Sequence, residues 1–477
     1  MLENLLSVFG LNILRSVVQF FMTFALTRFI NPSDYGVMAF VIPFWTFISL
    51  VSDFGLSNAI VREQKLTRRQ AGAAINLCLI ITAVGAIGML AMAWPIGKVM
   101  NDYKIAEAMA CFALVLSLAM ISTIPRAMLE RDLRYRTLAT IESVATLGAV
   151  PLCLALAIGG AGFWSLIAYH VTVQVIRLIG FGRYGRDNIE LTRGWREALP
   201  LAKFGGWVLA YNLQNFLARN ADNIIIGLYL GASALGVYAI SYQIMVLPLM
   251  TVTWPASGVL LATVSRLQND LSKAQQYVAC LISLTAALIF PAMIYLTFGS
   301  KYPLTVYMTA AWLDVPDLLF WLAWVGAIQS VAAYGGAVLT AQAKMRLYLS
   351  LGVANTIVFL IIFLITARIG IEALVMSYAA AAIIGSLVYL YVLARVLEIS
   401  VIKLISWMSA GLLATGLGLA AVGLSRLVQV QDAGLRWVFD TGAYSVAVVM
   451  VLLLFRARLV DQVRFFAVNR GTSDVSA

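Results

Sequence analysis

RFINPSDYGVMAF (residues 28–40) and LYLGASALGVYAI (residues 228–240) lie 200 positions apart and share their punctuation. Ser33 meets Ser233, Gly36 meets Gly236, Val37 meets Val237 and Ala39 meets Ala239, each pair at the threshold of a long apolar run. The register reaches back to Asn12 and Asn212. Farther along, AMLERDLRYR (127–136) mirrors AVLTAQAKMR (337–346), pairing Arg134 with Lys344 and Arg136 with Arg346. GFWSL (162–166) likewise mirrors GIEAL (370–374). One helical unit therefore occurs twice along the chain.

The solvent of these helices follows from composition. Of 477 residues, 62% are hydrophobic and 12% charged, and the mean hydropathy is +0.91. Soluble domains run at about 45–50% apolar and about 25% charged, and a globule of this length cannot hide the excess. The chain meets lipid. Disulfide scaffolds, disordered tails, nucleic-acid binders and ordinary cytosolic enzymes are excluded. Cys78, Cys111, Cys153 and Cys280 each sit in an apolar run without metal-type spacing, which reads as core packing. The start, MLENLLSVFGLNILR, lacks a basic leader and a small-residue cleavage site, so it is not read as a removable signal.

A span needs about 20 mostly apolar residues. Polar breaks mark candidates near 8–30, 36–58, 72–95, 105–125, 138–158 and 162–182, then 199–230, 236–260, 274–298, 318–341, 347–367 and 370–394, and finally 402–425 and 436–455. Loop charges test the count of fourteen. The loops at 62–69, 126–136, 183–196, 266–273, 344–346 and 395–403 and the tail at 456–470 hold 22 Lys and Arg; the other side holds 6, namely Lys98, Lys104, Lys301, Arg368, Arg426 and Arg436. That asymmetry puts both termini in the cytoplasm and accounts for most of the +11 net charge. The expected architecture is an all-α polytopic membrane protein: an N-lobe (1–197, spans 1–6), a C-lobe (198–397, spans 7–12) in the same orientation, and a final helix pair with a tail (398–477). Parallel repeats about an axis along the membrane normal are a recurring transporter design, with the substrate between the halves.

Charges inside spans are costly and tend to face a cavity or a partner. They include Arg15, Arg28, Asp53, Arg177, Lys203, Arg219, Asp222 and Glu372, with the sole histidine, His170, beside them. In span 1, Asn12, Arg15, Gln19 and Thr23 fall within about 80° of one another on a helix. Span 7 repeats the stripe with Asn212, Asn215, Arg219 and Asn223, and Asp222 stands where it can pair with Arg219. Span 2 adds Thr46, Ser49, Asp53 and Ser57. Amides both donate to and accept from sugar hydroxyls, and a guanidinium fork suits phosphate. The stripes thus fit a polar anionic ligand, and the competing reading is mutual satisfaction at helix contacts. Arg28, at the end of its span, fits snorkelling to the interface, Arg177 and Lys203 stand toward the cytoplasmic ends, and His170 fits a packed core. The prolines in or beside spans fit ordinary kinks. No P-loop, HExxH or CxxC pair is present, so no catalytic residue, metal site or cofactor is expected.

LTRFINPSDYGVMAFVIPFWTFISLVSDFGLSNAIV (26–61) and RNADNIIIGLYLGASALGVYAISYQIMVLP (219–248) resemble the two matching signatures of the polysaccharide transporter family. These are flippases of lipid-linked oligosaccharides within the multidrug/oligosaccharidyl-lipid/polysaccharide exporter superfamily, whose fold is that of the multidrug (MATE-like) exporters. The pattern is most similar to the branch serving exported polysaccharides such as colanic acid. The resemblance implies a bacterial inner-membrane protein that moves an undecaprenyl-pyrophosphate-linked repeat unit to the periplasmic leaflet. Arg219 and Asp222 match the R..D of the second signature, and Asp53-Phe54-Gly55 the end of the first.

On that footing the expected mechanism is alternating access of the two lobes. Arg15 and Arg219 hold pyrophosphate, and Asn12, Gln19, Asn212 and Asn215 hold sugars; Lys203 and Arg177 complete the candidate substrate set. Asp53 and Asp222 are candidate sites for coupling to a proton or sodium gradient. Polysaccharide polymerase and co-polymerase are candidate partners; nucleic acid is not. A drug or cation antiporter of the same fold would want acidic cavity groups. A glycan polymerase or ligase would want paired catalytic groups in a large outward loop, and the loop at 299–317 offers Asp314 and Asp317.

Overall fold

The computed structural model describes residues 2–63, 65–185, 189–190, 192, 194–267 and 270–471, and among these it is helical with no strand. The chain clusters into two compact units, residues 1–239 and 240–477. The first holds α1 (Leu2–Leu26), α2 (Pro32–Asp53), α3 (Leu56–Arg62), α4 (Arg68–Val99), α5 (Tyr103–Arg131), α6 (Tyr135–Ile158), α7 (Phe163–Gly185) and most of α8 (Leu199–Pro248). The second holds the end of α8, α9 (Trp254–Arg266), α10 (Leu271–Gly299), α11 (Lys301–Tyr307), α12 (Val315–Ala341), α13 (Met345–Thr366), α14 (Ile371–Val396), α15 (Val401–Ser425), α16 (Ala433–Leu454) and α17 (Arg456–Gly471).

Twelve helical segments among the described residues are long and apolar enough to cross a bilayer. α1 adds the apolar stretch Leu14–Leu26, and one of the twelve, Arg219–Arg266, is 48 residues long. Backbone at Gly231 leaves the helical region (φ 83°, ψ 175°), which divides that long run in two.

Helix ends follow local chemistry. Pro32 opens α2, where its missing N–H costs nothing. Thr67 and Gln70 cap α4 reciprocally, each side chain accepting from the other's backbone N–H at 3.1 and 3.0 Å. Asp102, Asp270, Ser400 and Asp432 cap α5, α10, α15 and α16. Between α8 and α9, five residues (Leu249–Thr253) form a wider π turn between Pro248 and Pro255. Pro255 has no N–H for the carbonyl four residues back, so the regular ladder cannot run through.

The repeat is legible in the backbone. Leu133 and Ala343 both hold left-handed conformations, φ 55° and 57°. The next residues, Arg134 (φ −85°, ψ 49°) and Lys344 (φ −86°, ψ 41°), precede the starts of α6 and α13. Gly162 and Gly370 both take positive φ immediately before α7 and α14.

The shared glycine of the two signatures has a packing reason. A Cβ on Gly36 would stand 1.6 Å from the carbonyl oxygen of Ala232, and one on Gly236 would stand 1.9 Å from that of Pro32. Each glycine sits on the other segment's first turn, so the two helix starts cross backbone to backbone. Small residues four apart permit such a crossing: Pro32 and Gly36 on one helix, Ala232 and Gly236 on the other.

In the first unit α5 packs on α2, α4 and α7, while α6 packs on α1 and α7. A knot of small side chains, including Ala71, Ala74 and Cys78, locks α3, α4 and α5 together. In the second unit α10 and α12 are central, tied by a hydrogen bond between Thr285 and Tyr334 at 2.6 Å. Tyr444 on α16 donates to the Pro291 carbonyl at 2.8 Å. All four cysteines are unpaired.

Candidate functional site

α6 carries one acidic residue, Glu142, and its side chain is only 7% exposed. Three helices packed around α6 aim arginines at it. Arg177 on α7 donates twice to Glu142 Oε2, from Nη2 at 2.5 Å and from Nε at 3.0 Å. Arg15 on α1 approaches the same oxygen at 3.6 Å, and Arg126 on α5 approaches Oε1 at 3.8 Å. Arg126 also pairs with Glu130 one turn on, at 3.2 Å.

Helical rise places this cluster in the apolar length. Glu142 is about 10 Å from the start of α6, Arg177 about 12 Å from the end of α7 and Arg126 about 8 Å from the end of α5, at ~1.5 Å per residue. All three ends carry the arginine-rich loops. Two unit charges ~4 Å apart are worth about 4 kcal/mol at an effective dielectric of ~20. One buried carboxylate therefore holds the arginines together without neutralising them. The side chains of Arg15 and Arg177 remain about a quarter exposed and that of Arg126 about half. A guanidinium carries five N–H donors, more than one carboxylate oxygen can use.

The structure thus unites Arg15 and Arg177, two of the residues chosen from sequence, through two that were not, Glu142 and Arg126. A signal for Glu142 existed, since it is the only Asp or Glu between 138 and 158. Arg126 was absorbed into the loop-charge count.

The remaining candidates have other surroundings. Gln19 and Arg219 are exposed and Asn212 is half-buried; the side chains of Asn12, Lys203 and Asn215 lie outside the described ones. Asp222 Oδ2 accepts from the Tyr238 hydroxyl at 2.8 Å, and Oδ1 accepts from the Asn223 N–H at 2.8 Å. That bond crosses the Gly231 break. In the first copy Tyr35 reaches Thr23 across the equivalent break, at 3.4 Å. Asp53 closes the turn into α3: its Oδ1 accepts from the Ser57 hydroxyl, and from the Ser57 N–H at 3.2 Å, across left-handed Phe54 and Gly55. His170 packs between Phe112, tilted at 5.2 Å, and Tyr169, edge to face at 5.3 Å between ring centres. Arg28 is exposed at the end of α1, and Glu372 is exposed in the first turn of α14, where the helix dipole favours an acid. No group of three or more His, Cys, Asp or Glu suited to a metal ion occurs among the described residues.

Residues 25–317 match the model of a family described as polysaccharide biosynthesis protein. The chain belongs to that family. It is 23% identical over 341 residues to the lipopolysaccharide biosynthesis protein WzxC of Escherichia coli K12, covering 70% of this chain and 68% of WzxC. It is also 23% identical over 288 residues to the succinoglycan biosynthesis transport protein ExoT of Rhizobium meliloti, covering 60% of this chain and 58% of ExoT. Among solved structures, the lipid II flippase MurJ in an inward closed conformation superimposes with a TM-score of 0.76 at 12% identity, over 96% of this chain and all of MurJ. An inward-facing multidrug resistance MATE family transporter gives 0.61 at 14% identity, over 80% and 94% of the two chains. The family member described here is a polytopic membrane protein with the fold of the MurJ flippase and of the multidrug exporter.

Proposed function

We propose that this protein flips undecaprenyl-pyrophosphate-linked oligosaccharide repeat units across the bacterial inner membrane, for export as exopolysaccharide or lipopolysaccharide. The observation that carries the reading is the convergence of Arg15, Arg126 and Arg177 on one buried carboxylate within the apolar span. A pyrophosphate linking a lipid to a sugar carries two negative charges and several acceptor oxygens. Guanidinium groups match it, because their planar forks bind two oxygens at once. Asn212 and Gln19 are suited to sugar hydroxyls, with Asn12, Asn215 and Lys203 as further contacts, and Arg219 is a second phosphate ligand. Entry from the arginine-rich end, which we assign to the cytoplasm with both termini, puts the head group beside the cluster while the polyprenyl chain stays in lipid. Alternating access of the two repeats then delivers it to the periplasmic leaflet. Asp53 and Asp222 are the coupling candidates, for protons or sodium; polymerase and co-polymerase act on the delivered unit.

The rival readings fit less well. An exporter of cationic drugs would place acids, not a net positive cluster, at its binding site. A polymerase or ligase needs free catalytic acids, and Asp317 is engaged by Lys301 at 3.2 Å, while Asp314 stands at the start of α12. Deleting the gene and separating lipid-linked saccharides by leaflet tests the proposal. Complete units trapped on the cytoplasmic side, with no surface polysaccharide, are expected. Single units reaching the periplasm unpolymerised would assign the protein to a later step.

A further inference from the structure

The flippase reading leaves Glu142 unexplained. A site that only had to bind an anion would not bury a carboxylate at its centre. Glu142 is also not a bystander to one arginine: both of its oxygens are taken, Oε2 by Arg15 and Arg177 and Oε1 by Arg126. These are the donors that a phosphate would need.

We propose that Glu142 is a built-in competitor of the substrate's pyrophosphate, a specificity-determining and release-promoting residue for transport; this rests on the flippase reading above. In the empty protein it gathers three guanidinium groups from α1, α5 and α7 and prevents their mutual repulsion. An arriving pyrophosphate takes over the donors of Arg15 and Arg177, the two that share Glu142 Oε2. When the head group leaves on the far side, Glu142 recaptures them. Arg126 stays with Glu130 at 3.2 Å, so the two arginines that pass to the substrate carry two positive charges, equal to the charge of a doubly esterified pyrophosphate. A monoanion neutralises half of that and competes poorly with a carboxylate already in place. The carboxylate thus trades affinity for discrimination and turnover, because a substrate bound too tightly in one state cannot be released in the next.

Binding of inorganic pyrophosphate and inorganic phosphate to the purified full-length protein in detergent, by calorimetry, tests this. The variants are Glu142→Gln, Glu142→Asp and the pair Arg15→Ala/Arg177→Ala, each confirmed folded by thermal melting. Glu142→Gln keeps the shape and removes the competitor, so pyrophosphate should bind at least tenfold more tightly than to wild type, with a smaller preference over phosphate. Surface polysaccharide in cells carrying this variant should fall severalfold, and Glu142→Asp should restore both properties toward wild type. Pyrophosphate affinity that is unchanged or weaker in folded Glu142→Gln overturns the competitor role, even where the arginine pair proves essential for binding. If neither wild type nor Glu142→Gln binds pyrophosphate, the anion-site reading falls, and the competitor role with it.

Discussion

Arg177 spends two of its N–H groups on a single oxygen of Glu142, at 2.5 and 3.0 Å, between α7 and α6. A fork can do this because its donors are fixed in one plane; an ammonium on a flexible stem cannot. Arg177→Lys should therefore keep the positive charge yet lose most surface polysaccharide. Arg177→Ala should also lower stability by about 2–4 kcal/mol, since it strips the nearest partner from a buried carboxylate. Complementation of a deletion strain and thermal melting of the purified variants check the two parts. Full function in Arg177→Lys would show that charge alone suffices.

The crossing of Gly36 and Gly236 admits no side chain. With a carbonyl oxygen 1.6 or 1.9 Å from the added methyl, relief requires backbone movement. Gly36→Ala and Gly236→Ala should each cost roughly 2 kcal/mol or more and reduce the amount of folded protein in membranes. Gly10→Ala, where a Cβ would meet nothing within 4 Å, is the control.

Leu133 and Ala343 hold left-handed backbone that is disfavoured by about 1–2 kcal/mol for residues other than glycine. Both are exposed, Leu133 at 74%, so replacement sacrifices little packing. Ala343→Gly and Leu133→Gly should each stabilise by about 0.5–1 kcal/mol, net of the glycine's greater unfolded-state freedom. Melting temperatures read the sign directly.

Asp34 is buried in the first turn of α2 and is ion-paired with Lys104 at the start of α5. Lys104→Met leaves the acid unpartnered and should destabilise by about 2–3 kcal/mol. Adding Asp34→Asn should recover part of the loss, because the double variant no longer buries a lone charge. A double variant less stable than Lys104→Met would place the value of Asp34 elsewhere.

The all-helical membrane fold and the recurring turns were legible because lipid imposes length and apolarity on every helix, and because Gly36/Gly236 and the Arg134/Lys344 turn recur in the sequence. Glu142 escaped because its meaning is tertiary: Arg15, Arg126 and Arg177 are 127, 16 and 35 residues away, and no spacing rule joins them. Asp53 shows the converse. Its stripe on span 2 drew attention as a cavity feature, yet the side chain closes the turn at Phe54-Gly55 through Ser57. A capping carboxylate and a helical stripe share the same spacing.

That cap gives Asp53 a separable test. Asp53→Asn retains the acceptor oxygen and should fold normally, whereas Asp53→Ala should lose about 1 kcal/mol. If Asp53 couples transport to an ion gradient, Asn should make the transport rate indifferent to pH and sodium. A rate that keeps the wild-type dependence removes Asp53 from coupling.

The central claim is best tested in vesicles. Purified protein reconstituted with a polyprenyl-pyrophosphate-linked saccharide in both leaflets is exposed to a membrane-impermeant pyrophosphatase. The wild-type protein should render nearly all of the saccharide cleavable, while Arg15→Ala/Arg177→Ala vesicles should protect about half. Protection of half by the wild type, or equal cleavage in both, would contradict the account.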